Sequence, residues 1–274
     1  MSGMRKDGHV VFKPVLGNMT EIGTLVVDQK HRGKNVGKLL SRARFAFMAA
    51  APKRFQDIVF AEMRGPIDPE TEKPECGDWL SNRLFGMTMV KADAMLSKQG
   101  HDDVYGKKKM PVISLNEIPE AISAQFGMAH PSSQRAQDIL MKYEGFQNAG
   151  YFDAAQGGPQ VHSQITDIKT VRYIQNLYQT PSKPFVIKGT SAQLDDSQPN
   201  VILTNHAEGK EFQAACLNVN IDQDGVTISC EAAKILDLQT GDQIAYTPFI
   251  QPNPAHAQSA AKQSPSRPAS SWHL

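Results

Sequence analysis

One stretch, residues 21–48, constrains this chain more than any other. An apolar, β-branched run over residues 22–27 is followed by a short polar loop and then by Val36, Leu39, Leu40, Ala43, Phe47 and Met48 at helical spacing. The pattern predicts a strand, a loop and a helix from about Val36 to Ala50, with Lys38, Arg42 and Arg44 turned outward and Pro52 ending it. Arg32-Gly33-Lys34-Asn35-Val36-Gly37 falls where the helix begins. The unpaired N–H groups of a helix's first turn, with its dipole, hold phosphate or pyrophosphate.

Residues 58–62 form the next apolar run, so the first helix is read as the crossover of a βαβ unit with parallel strands. Ahead of it, the apolar residues from Val10 to Leu16 read as one hairpin arm closed by Gly17-Asn18. Residues 65–129 read as an insertion containing a helix around Trp79 to Met87, a basic loop at residues 106–109 and a helix at residues 117–126. His130-Pro131-Ser132-Ser133 begins a further helix, capped by Ser132 or Ser133 and stopped by Gly145, and Gly150-Tyr151-Phe152 reads as a strand. A turn at Gln156-Gly157-Gly158-Pro159 and an alternating run from Val161 to Ile165 lead to a helix at residues 167–177. Residues 180–184 read as a linker to a small β-rich module over residues 181–250, and the Ala-, Ser- and Pro-rich residues 251–274 as a disordered tail.

A formal charge of +1 gives no footing for a nucleic-acid role. No apolar run approaches a membrane span and the start lacks a secretory apolar segment, which predicts a soluble, cytoplasmic protein without a membrane partner. Cys76, Cys216 and Cys230 are odd in number and widely spaced, which favours reduced thiols and no metal site.

Arg32, Asn35 and Gly37 fit the acyl-CoA loop of the GCN5-related N-acyltransferases, with Asn35 in place of the middle glycine. Glu62-Met63-Arg64-Gly65, Phe85-Gly86-Met87, His130-Pro131, Glu144-Gly145-Phe146, Gly150-Tyr151, Asp153, Gly157-Gly158-Pro159 and Gly241-Asp242 together resemble arginine N-succinyltransferases. The resemblance implies an α/β fold with a mixed sheet: an acyltransferase core over residues 1–180 with a small C-terminal β-rich module. Two strands splay apart in that fold, and the coenzyme's pantetheine arm lies in the gap. Family members carry a longer segment ahead of Glu21, so the core is expected to lack its N-terminal part.

The implied activity is succinyl transfer from succinyl-CoA to the α-amine of L-arginine, in some members L-ornithine, in arginine breakdown. His130 matches the family's proton donor to the thiolate, and Glu62 is a candidate acceptor of the amine's proton. Leu25, Val27, Arg32, Gly33, Lys34, Asn35, Val36 and Gly37 would hold succinyl-CoA, Leu25 through its backbone. Asp153 is a candidate partner for the guanidinium, and the family includes two-subunit assemblies. Departures are Met141 where many acyltransferases place a tyrosine and Gln156 where this family has aspartate. Two other readings stay open: an acyltransferase acting on another amine, and a non-catalytic subunit.

Overall fold

The computed structural model describes residues 1–13, 19–100, 110–180, 185–192, 194, 200–205 and 211–249. The expected turn at Gly17-Asn18, the basic loop at residues 106–109, most of the linker and the tail lie outside them.

The chain opens with a hairpin that the sequence reading missed. β1 (Ser2–Lys6) and β2 (His9–Lys13) pair antiparallel across Asp7 and Gly8, both at positive φ. An Asp-Gly turn with two left-handed residues matches the twist of the flanking strands, and that dipeptide was the signal. β3 (Met19–Glu21) pairs in parallel with β4 (Ile58–Glu62), and α1 (Val36–Ala50) crosses between them, as the βαβ reading expected. α2 (Glu75–Phe85), α3 (Met89–Gln99), β5 (Ile113–Ser114) and α4 (Glu120–Gln125) fill the expected insertion. Then come α5 (Pro131–Asp138), a π-helical turn over Ile139–Glu144, β6 (Gln147–Asp153), β7 (Pro159–Gln164) and α6 (Lys169–Gln179). One mixed sheet runs β3-β4-β7-β6-β1-β2-β5.

Strand register decides which face does chemistry. Glu21 lies beside Phe60, Phe60 opposite His162 and Glu62 opposite Gln160, so these four side chains share one face with His162. Val59, Ala61 and Val161 point the other way, into a core with Phe45, Ala46, Met48 and Ala49 of α1 and Val171 and Ile174 of α6.

Beyond α6 lie β8 (Ile187–Ser191), β9 (Asn200–Asn205), β10 (Ala214–Asn218), β11 (Asn220–Asp222), β12 (Gly225–Ser229), α7 (Cys230–Ile235) and β13 (Ile244–Pro248). They form two three-stranded sheets around a second core, to which α6 contributes Leu177. Among the described residues no helix is long and apolar enough to cross a membrane.

α1 has the expected bounds but a different buried face. Ser41, Arg42, Phe45, Ala46, Met48 and Ala49 are buried, whereas Leu40 is 43% exposed. Arg42 does not point outward: at 1% exposure it donates to Glu144 (2.8 Å), to the Thr170 and Thr247 hydroxyls and to the carbonyls of Pro248 and Phe249. Glu144 in turn accepts from the Thr170 N–H (3.0 Å) and hydroxyl (3.0 Å). Burial pushes the Glu144 carboxyl up, against the pull of Arg42 and the Thr170 donors.

The glycines of two quoted motifs meet backbone to backbone. A Cβ on Gly158 would lie 1.9 Å from the Met63 carbonyl oxygen and 2.7 Å from the Gly65 N, and one on Gly65 would lie 1.9 Å from the Gln156 carbonyl oxygen. Gly158→Ala must therefore push the end of β4 away from β7, for an expected cost of about 3 kcal/mol or more, read from denaturant midpoints. A midpoint shift under about 0.5 kcal/mol would mean the two runs are not held this close.

Candidate acyl-coenzyme site

The candidate phosphate loop is built by local rules. A 3-10 turn over Gln29–His31 is capped by the Asp28 carboxylate, which accepts from the Lys30 N–H at 3.0 Å. Gly33 (φ 80°) and Asn35 (φ 61°) both take the left-handed conformation, which asparagine tolerates better than most residues. The Asn35 carbonyl accepts the first α1 bond from Leu39 (3.0 Å), and its side chain caps nothing. Among the described residues, the N–H groups of Val36, Gly37 and Lys38 therefore have no acceptor, and the helix dipole favours an anion there. Arg32 Nε ties the loop to the Val27 carbonyl at 3.1 Å. Lys34 is exposed. Lys38 is not a free surface charge: its Nζ sits 4.8 Å from the ring centroids of both Tyr143 and Phe249, and burial lowers its pKa.

The strand expected over residues 22–27 is not one. Pairing with β4 stops after Ile22, whose N–H reaches the Phe60 carbonyl at 2.9 Å. Thr24 then adopts φ 54°, rare for a β-branched residue, and the run leaves β4 while β4 stays paired to β7 on its other side. Among the described residues the N–H groups of residues 23–27 meet no backbone acceptor. Leu25, expected to be strand core, is half-buried like Val27, and Val26 is 77% exposed. An apolar run this exposed, with donors to spare, borders a gap between two strands that begin as neighbours.

α1 runs back along this gap. Gly37 lies against Val27, with 3.5 Å from its would-be Cβ to a Val27 methyl, and Arg44 Nη1 reaches the Gly23 carbonyl at 3.5 Å. Val27 thus meets both ends of the loop, Arg32 through its carbonyl and Gly37 through its side chain.

Glu62 is the last residue of β4, and His130 lies just past that end. Glu62 is largely buried and accepts from Gln160 Nε2 at 2.5 Å. Burial first, then the nearby Asp153 carboxylate, push its pKa up to about 7, opposed by the terminal amine and the Gln160 bond. The His130 N–H donates to the Arg64 carbonyl at 2.8 Å, which fixes the histidine alongside the chain two residues past Glu62. His130 itself, not Ser132 or Ser133, caps α5: its Nδ1 accepts from the Ser132 N–H at 3.1 Å and lies 2.6 Å from the Ser132 hydroxyl. With Nδ1 accepting, the neutral ring carries its proton on Nε2.

The two oxygens of Asp153 accept from the N–H groups of Ala155 (3.0 Å) and Gln156 (2.9 Å). Met141 is half-buried against the main core. Among the described residues no group of three His, Cys, Asp or Glu side chains is gathered as a metal cage. Gln160 carries no local motif, and what singles it out is its place opposite Glu62 in the β4–β7 pair.

A family profile described as "Arginine N-succinyltransferase beta subunit" matches residues 10–170. The chain belongs to the arginine N-succinyltransferase family. It is 28% identical over 237 residues to an arginine N-succinyltransferase of Yersinia pestis (strain Pestoides F), covering 85% of this chain and 65% of the relative. It is also 28% identical to one from Enterobacter sp. (strain 638), covering 82% of this chain and 62% of that protein. The structure of arginine/ornithine succinyltransferase subunit AI from Pseudomonas aeruginosa superposes with a TM-score of 0.64 at 26% identity, covering 82% of this chain and 61% of that one. The chain thus spans slightly less than two thirds of the length of these relatives, and the family's mixed α/β acyltransferase fold accounts for its large sheet.

Proposed function

We propose that the chain carries the succinyl-CoA site and proton-transfer groups of an arginine N-succinyltransferase that acts in the cytoplasm in arginine breakdown, acylating L-arginine or L-ornithine. The observation that carries this reading is that pairing with β4 ends at Ile22, so that among the described residues the N–H groups of residues 23–27, like those at the start of α1, meet no backbone acceptor. Val36 and Gly37, with Arg32, Gly33, Lys34 and Asn35, hold the coenzyme's diphosphate. Its arm follows Val27 and Leu25, whose backbone N–H groups polarise the thioester carbonyl.

The neutral α-amine attacks that carbonyl, the C–N bond forms, and Glu62 takes the amine's proton. A carboxylate titrating near 7 suits that role at neutral pH. The C–S bond breaks, and the departing thiolate takes the Nε2 proton of a cationic His130, which is left neutral with its Nδ1–H on the Ser132 hydroxyl. We also propose the division into an acyltransferase unit over residues 1–180 and a β-rich module over residues 181–250.

The test uses the full chain with succinyl-CoA and L-arginine, with N-succinylarginine read by mass spectrometry. His130→Ala is expected to lower kcat about 100-fold or more while leaving succinyl-CoA affinity in place. Full turnover by that variant rejects His130 as the donor. Absence of amide protection at residues 32–38 on adding succinyl-CoA rejects the coenzyme site.

A further inference from the structure

Resting on that reading, we infer that Arg44 binds the free carboxylate of the acyl group and so selects a dicarboxylic acyl donor over a neutral one. Arg44 is half-buried on α1. Among the described residues no carboxylate oxygen lies within 4.0 Å of it. Its two polar contacts are long, 3.5 Å from Nη1 to the Gly23 carbonyl and 3.4 Å from Nη2 to the Ser41 hydroxyl, and its buried Nε has no partner. A guanidinium in this condition has lost much of its water without gaining an anion. The contrast with Arg42, two residues earlier and fully paired, shows that the helix is not merely rich in buried arginine.

Position supplies the rest. The contacts Gly37 to Val27 and Arg44 to Gly23 set α1 antiparallel to the unpaired run. Seven residues of helix cover about 10 Å and four of extended chain about 13 Å, so the two tracks keep step. A coenzyme arm that starts at the helix N-terminus and follows Val27 towards Gly23 delivers its acyl end to the guanidinium. The neutral acyl group of the same carbon count, butyryl, offers that guanidinium nothing. A charge-assisted, two-pronged contact to carboxylate supplies a preference of about 10- to 100-fold.

The experiment measures dissociation constants of the full chain for succinyl-CoA, butyryl-CoA and free CoA by calorimetry. It compares wild type with Arg44→Met, Arg44→Gln and Arg44→Lys, each checked for folding by thermal melt. The wild-type preference for succinyl-CoA over butyryl-CoA is expected to fall to about one in Arg44→Met and Arg44→Gln and to be partly kept in Arg44→Lys, which retains the charge but not the fork. A merely structural role would weaken both esters alike and leave the ratio unchanged. That result, with CoA esters still bound, overturns the inference and leaves the acyltransferase reading standing. If wild type binds neither ester nor CoA, the acyltransferase reading falls and the inference with it.

Discussion

Arg42→Ala is expected to destabilise the chain by about 3–5 kcal/mol, because it leaves Glu144 as a lone charge in a fully buried setting. For a chain of this size that corresponds to a melting point lower by about 6–20 °C. The variant also strands the carbonyls of Pro248 and Phe249 and the hydroxyls of Thr170 and Thr247, all of which accept from the guanidinium. Glu144→Ala should cost a similar amount, since it unpairs Arg42 and two Thr170 donors. The double variant Arg42→Ala with Glu144→Ala is expected to cost clearly less than the sum, because neither partner then remains as an uncompensated charge. Additive costs from chemical denaturation would show that the pair is not coupled. The damage should also reach the phosphate loop. Arg42 holds the end of β13 on α1, and the Phe249 ring there covers Lys38 at the start of the same helix.

Glu62→Gln is expected to lower kcat/KM about 100-fold or more and to remove one limb of the pH profile. As the proposed base Glu62 must be ionised, so its limb of the wild-type kcat/KM profile should rise with pH through about 7. The groups that set this midpoint are burial, Asp153, the terminal amine, Gln160 and Glu21, in that order. Gln160→Leu removes a donor to the ionised form and should move the limb to higher pH. Stability carries an independent signature. The folded protein holds the Glu62 proton more tightly than the unfolded chain, so its contribution is fully present below the ordinary carboxylate range and is lost as pH rises towards about 7. Wild type minus Glu62→Gln should therefore lose stability between roughly pH 4.5 and 7, by up to about 3 kcal/mol, and stay flat above. An activity limb that persists in Glu62→Gln would assign the base to another group.

Much of this molecule is legible from local pattern. The bounds of α1, the parallel pairing of the strands on either side of it, the helix stop at Gly145 and the loop glycine at residue 33 follow from periodicity, caps and left-handed residues. Where pattern misled, a partner distant in sequence was responsible. Residues 22–27 look like core strand because they are β-branched and apolar, yet sheet pairing ends at Ile22 and leaves the run beside a gap. Arg42 looks like a solvated helix charge, and the residues that bury it lie 102 to 207 positions away.

By itself the sequence determined the loop and helix over residues 28–50 and, through motifs at Glu62, His130 and Gly157-Gly158-Pro159, the family. These are local matters: helical period, turn conformation and capping depend on residues a few positions apart. Only the tertiary structure decided that β3 and β4 part company after Ile22, that burial pushes Glu62 up to about 7, that Arg42 is the interior bolt of the C-terminal strand and that, among the described residues, no carboxylate stands beside Arg44. Each of those depends on burial and on groups brought together from distant parts of the sequence, quantities that exist only once the chain has packed.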